Sequence, residues 1–171
     1  MKIPFAVSLA AALCAGAVAA QTPAPAPAYP SAVNYDALQG VHDMKVVFDV
    51  TDGNPKGLIA KLATIDVTRK QLIDAGVTPH LVVTFRGDAS YFTQTDVAKV
   101  KPEDRAEYAK VADAIRALRK QTGVESMEQC SLPLPSRKID KADVMPEVKV
   151  VPNGWIALAA YQQKGYAYIS P

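Results

Sequence analysis

The sequence predicts an α/β domain built on a mostly parallel sheet. Three observations carry that expectation. Two short runs of β-branched and apolar residues, KVVFDV (Lys45 to Val50) and HLVVTF (His80 to Phe85), lack the alternation of a half-exposed strand and read as strands covered on both faces. Between and after them, apolar residues recur at three- and four-residue steps, the period of a helix with one buried face. Strand-like and helix-like segments then alternate to the end of the chain, so successive strands are joined by crossovers of one hand.

The elements follow in order. After KVVFDV comes TDGNPKG, where Asn54 is suited to an N-cap and Pro55 to the first helical turn. Leu58, Ile59, Leu62, Ile65, Leu72 and Ile73 form the apolar stripe of that helix, and Gly76 is placed to end it. HLVVTF is the second strand. The loop RGDASYFTQTD leads to Pro102, which opens a second helix with Tyr108, Val111, Ile115 and Leu118 on its buried face and Gly123 at its stop. VESMEQC (Val124 to Cys130) is a third strand despite its two glutamates. VKVV (Val148 to Val151) is a fourth, Asn153 caps a helix running through Gln163, and GYAYISP closes the chain as a fifth strand. Trp155 is expected in the core.

Ahead of this domain lie two segments of different character. Met1-Lys2 precedes an almost wholly apolar or small run to Ala20, with Val18, Ala19 and Ala20 before Gln21. That is the pattern of a cleaved signal peptide over 1–20, and it implies a periplasmic protein with no membrane attachment after processing. QTPAPAPAYPSA begins a Pro/Ala-rich linker over 21–40, extended and poor in packing surface. The remaining residues, 41–171, have the size of one domain with one sizeable core. Lys and Arg number 19 against 17 Asp and Glu, with no basic stripe interleaved with aromatics, which argues against a nucleic-acid partner.

Few motifs carry chemistry. GxGxxG, P-loop, GxSxG and HExxH patterns are absent, so no cofactor is expected. His42 and His80 are far apart and the domain has a single cysteine, which argues against a zinc site; His80 reads as a strand-end residue. Arg86 to Asp88 spell RGD, most simply a turn after a strand. Asp49 and Asp52 flank the end of the first strand, where turn chemistry is a simpler reading than a carboxylate pair.

Cys130 is the candidate catalytic residue. It ends the third strand, and in an open parallel sheet ligands gather at the carboxyl ends of the strands. The following SLPLPSRK supplies Ser131, backbone donors, and the cations Arg137 and Lys138, any of which could stabilise a thiolate. A free cysteine buried as a small hydrophobe is the alternative.

The segments KVVFDV, LVVTF, TGVESMEQCS and VKVVPNGWIALAAYQQKGYAYISP, taken in order and spacing from Lys45 to Pro171, resemble the DsrE/DsrF-like family. The most specific parts are Gly123, Val124 and Cys130, and the ending with Val151, Gly154, Leu158, Gln162, Gly165, Tyr166 and Ile169. The resemblance implies a three-layer α/β/α domain with a five-stranded parallel sheet, assembled as a homotrimer or homohexamer. It also implies that Cys130 carries sulfur as a persulfide between a sulfur donor and an acceptor protein. Two stretches depart from the family's pattern: Gly87-Asp88 with Ser90-Tyr91-Phe92 after strand two, and Ser131-Leu132-Pro133 after Cys130. A non-catalytic oligomeric protein that binds a small ligand or a partner, with no cysteine chemistry, is the alternative function.

Overall fold

The computed structural model describes residues 29–171, so the signal-like segment and the first part of the linker lie outside the described residues. Strands β1 (Asp43–Val50), β2 (Thr78–Phe85), β3 (Val124–Cys130), β4 (Lys149–Val151) and β5 (Ala167–Ile169) form one sheet in the order β4-β3-β2-β1-β5. Every adjacent pair is parallel.

Helices α1 (Pro55–Asp74) and α2 (Arg105–Arg119) cover one face, and α3 (Gly154–Gln163) crosses the other. This three-layer arrangement follows from the strand order. The chain moves one way across the sheet from β1 to β4 and then returns past β1 to place β5. With crossovers of a single hand, the returning helix must lie on the opposite face.

Burial follows strand parity. Val46, Phe48 and Val50 of β1 and Leu81, Val83 and Phe85 of β2 face Leu58, Leu62 and Ile65 of α1 and Val111, Ile115 and Leu118 of α2. Val47 and Val82 face Leu158 of α3, with Tyr161 and Tyr166 packed beside them. Residues on both faces of β1 and β2 are therefore dry, as their continuous apolar runs require.

Local signals act where the sequence places them. Asn54 caps α1 by accepting from Gly57 N–H at 3.0 Å, and Asn153 caps α3 by accepting from Trp155 N–H at 2.9 Å. Gly123 holds φ +87° against Pro79, where a Cβ would come within 2.6 Å of the proline ring. Pro102 opens a single 3₁₀ turn, Pro102–Asp104, and the α-helix proper begins at Arg105.

Three expectations are corrected. Strand and helix do not alternate throughout: the β3–β4 connection has only two 3₁₀ turns, Pro135–Arg137 and Lys141–Asp143. It stands in for a helix by burying Leu134, Ile139, Val144 and Met145 against the same face as α1 and α2. Ile73 is exposed, because the buried stripe of α1 ends on Leu72. Trp155 is not a core residue either: it is 68 % exposed, since the buried side of α3 is only Gly154 and Leu158.

Candidate functional site

β3 and β4 leave the sheet together, and that exit builds the site. Cys130 is paired in register with Val151. Beyond the pair, Ser131 N–H donates to the Val151 carbonyl at 2.9 Å and the Ser131 hydroxyl to the Pro152 carbonyl at 2.8 Å, which ties the two strand exits. Asn153 then caps α3, so the first residue of the helix, Gly154, lies against the cysteine. Gly154 N–H donates to Cys130 Sγ at 3.1 Å. One of the helix's unpaired N-terminal donors, and the positive end of its dipole, are therefore aimed at the sulfur.

Arg86, the first residue past β2, supplies a cation on the neighbouring strand exit. Its Nε donates to Asp49 Oδ1 at 2.7 Å and its Nη2 to Asp49 Oδ2 at 2.6 Å. Asp49 is 2 % exposed, and its second oxygen also accepts from the Tyr168 hydroxyl at 2.7 Å. The carboxylate raises the Arg86 pKa above its ordinary value and, through the same contact, that of Tyr168. β1, β2 and β5 thereby fix one guanidinium. The side chain runs against Gly154, where a Cβ would lie 2.8 Å from Arg86 Cδ and 3.0 Å from Cys130 Cβ. Glycine at this position permits the helix end, the arginine and the thiol to share one corner.

Cys130 itself is 4 % exposed and has no disulfide partner among the described residues. It forms part of the wall of a cavity of about 290 Å³ with Arg86, Gly87, Leu132, Pro133, Asn153 and Trp155. Leu132 and Trp155 are exposed at this opening, and the Arg86 guanidinium carbon lies 5.9 Å from the centroid of the Trp155 ring. Behind the thiol, Gln129 is fully buried. Its amide donates to the Cys130 carbonyl and to Ser90 Oγ, each at 2.8 Å, and its carbonyl accepts from Thr93 Oγ1 at 2.7 Å. The strand carrying the cysteine is thus held to the turn Gly87–Phe92.

The expected stabilisers of the sulfur lie elsewhere. Arg137 pairs with Asp88 at 2.6 Å and stands over the Tyr91 ring, and Lys138 is exposed in a left-handed conformation. Ser131 spends its hydroxyl on the Pro152 carbonyl. Gly154 and Arg86 are the residues that lie at the thiol instead. Asp49, read from the sequence as turn chemistry, is instead the buried anchor of Arg86. Asp52 does keep the turn role, accepting from Asn54 N–H at 2.8 Å and pairing with Lys61 at 3.1 Å. The sequence held one usable signal for the missed pair: an aspartate inside an otherwise apolar, doubly covered strand must find a buried partner, and the residue just past the adjacent strand is an arginine.

His80 lies at the opposite, amino-terminal edge of the sheet. It bridges Glu125 on β3 at 2.7 Å and Asp43 on β1 at 3.3 Å. His42 is exposed, at the entrance to β1.

A protein of unknown function from Methanobacterium thermoautotrophicum superposes with a TM-score of 0.54 over 76 % of this chain and 99 % of its own, at 20 % identity, and so has the same fold. An uncharacterised protein of Aquifex aeolicus is 28 % identical over 126 residues, 74 % of this chain. The match spans 55 % of that relative's length, so the chain corresponds to about half of it. The model of the DsrE/DsrF-like family matches residues 44–171, which is all five strands but for the first residue of β1 and all three helices, and the chain belongs to that family.

Proposed function

We propose that this protein is a periplasmic sulfur carrier that holds sulfur on Cys130 as a persulfide. Membership of the DsrE/DsrF-like family supports a sulfur-relay-related function. The observation that carries the finer reading is the Gly154 N–H directed at Cys130 Sγ, with the Arg86 guanidinium alongside and a small cavity at the thiol. Sulfur transfer needs a nucleophilic thiolate that accepts a sulfur atom and yields it to an acceptor thiol. A helix N-terminus and a neighbouring cation are the two devices that stabilise such an anion.

A second reading rests on the burial of the thiol: Cys130 is a packed cysteine in an oligomeric binding protein, and the cavity takes a ligand without covalent chemistry. Native-state alkylation separates the two. A carrier is labelled by iodoacetamide in the folded protein at neutral pH, whereas a packed cysteine is labelled only as the protein unfolds. The exposed Trp155, Ile156, Tyr168 and Ile169 on α3 and the β5 edge support association between copies, and the family resemblance points to a homotrimer or a dimer of trimers. Export is expected to leave a mature chain beginning at or within a residue or two of Gln21 in the soluble periplasmic fraction, which N-terminal sequencing reads directly. Recovery of Met1 on membrane-bound protein would refute that location.

A further inference from the structure

Arg86 has donors to spare beside the thiol. An arginine carries five N–H groups, and Asp49 takes one from Nε and one from Nη2. Both hydrogens of Nη1 and the second of Nη2 meet no acceptor among the described residues. Arg86 shares the wall of the 290 Å³ cavity with Cys130, and the other lining residues, Gly87, Leu132, Pro133, Asn153 and Trp155, are uncharged. The cavity is therefore sized for a small molecule and offers it one cation, next to the one nucleophile. Asp49 and Tyr168 fix the plane of that cation in advance, so little ordering is left for the moment of binding.

We propose that Arg86 is the residue that selects the sulfur donor, receiving the oxyanion end of a small sulfonate-ended sulfane such as thiosulfate. This rests on the reading of Cys130 as a sulfur carrier. The Cys130 thiolate attacks the outer sulfur of thiosulfate. The bond from that sulfur to the sulfonate breaks, sulfite leaves with the electron pair, and a new bond joins Cys130 Sγ to the transferred sulfur. One negative charge on the thiolate and two on thiosulfate become one on the persulfide and two on sulfite, with no further oxidant or reductant. Charge gathers on the departing sulfite oxygens as the bond breaks. Guanidinium donors placed at those oxygens act most strongly in the transition state. A donor with an uncharged end gains nothing from them.

The test compares two sulfur donors, thiosulfate and N-acetylcysteamine persulfide, by the rate at which the folded protein gains one sulfur atom in intact mass. Arg86→Lys keeps the charge opposite Asp49 but loses the fork. The paired change Asp49→Asn/Arg86→Gln removes both charges without leaving a buried carboxylate alone, so a folded variant remains available if one of them misfolds. The expected result is that both variants lose about tenfold or more of the thiosulfate rate relative to the persulfide rate, the persulfide rate itself carrying whatever the thiol loses with the cation. Equal losses with both donors, no loss with either, or a wild type that takes sulfur from the persulfide but not from thiosulfate overturns the role of Arg86 and leaves the carrier standing. A wild type that gains sulfur from neither donor overturns the carrier reading, and this inference with it.

Discussion

A methyl group on Gly154 would stand 2.8 Å from Arg86 Cδ and 3.0 Å from Cys130 Cβ, closer than carbon atoms pack. Gly154→Ala must therefore push the helix end or the arginine aside. An overpacked position of this kind costs about 1–3 kcal/mol. The loss falls on the thiol as well, because the displaced N–H is the one that reaches Sγ. Gly154→Ala is expected to lower the denaturant midpoint and to slow alkylation of Cys130 at fixed pH. Unchanged alkylation in a destabilised variant would mean that the helix N-terminus does nothing for the sulfur. Cys130→Ser makes the complementary case: the two side chains are nearly isosteric, so the fold is expected to stay while every thiol reaction disappears.

Strand pairing at the amino-terminal edge of the sheet depends on charge in a way that pH can read. His80 on β2 sits between Glu125 on β3 and Asp43 on β1, and its hydrogen bond to Glu125, then that to Asp43, raises its pKa. Its contribution to stability is therefore complete below the unfolded value of about 6.5 and is lost as pH rises through the higher folded value. Glu125 has its pKa lowered by the hydrogen bonds from Tyr166 and His80, which together outweigh burial, the largest single influence and one that acts upward. Its contribution is present above the unfolded carboxylate value and fades in acid. The stability difference between wild type and His80→Gln is expected to be largest between about pH 5 and pH 6.5 and to shrink by pH 9. A difference that stays constant across that range would remove the ion pair from the account. At this scale the sequence is legible wherever its signals are local. The apolar runs, the Asn54 and Asn153 caps and the Gly123 stop are all local signals, and each lies where its element begins or ends. The helix-free β3–β4 connection is less legible, because Leu134, Ile139, Val144 and Met145 have no period; only the sheet face they cover gives them a common direction. The partners of Cys130 were hidden for a related reason. Arg86 lies 44 positions before it and Gly154 is 24 after, and the strand order β4-β3-β2-β1 brings both exits to one corner. Arg137 and Lys138 are nearer in sequence, but the turn that follows β3 carries them away.

At the level of the whole molecule, α3 and β5 are the least finished part of the surface. β5 pairs with β1 through only three residues, all of them exposed, and among the described residues its outer edge is open. Trp155 and Ile156 stand out from α3 nearby. Burying such residues between copies is favourable by about 25 cal/mol per Å² of apolar area, and an open strand edge invites pairing. Light scattering at micromolar concentration is expected to give the mass of a trimer or hexamer; a strictly monomeric mass would contradict this. Trp155 also rims the cavity at Cys130, so assembly and access to the thiol would be linked. The central claim, that Cys130 carries sulfur, is tested most directly by intact mass before and after a full cycle. Protein treated with a persulfide donor and freed of it is expected to weigh one sulfur atom more, to lose that atom on addition of an acceptor thiol, and to show neither change as Cys130→Ser. A wild-type mass that never changes, or a gain that survives in Cys130→Ser, would contradict the account.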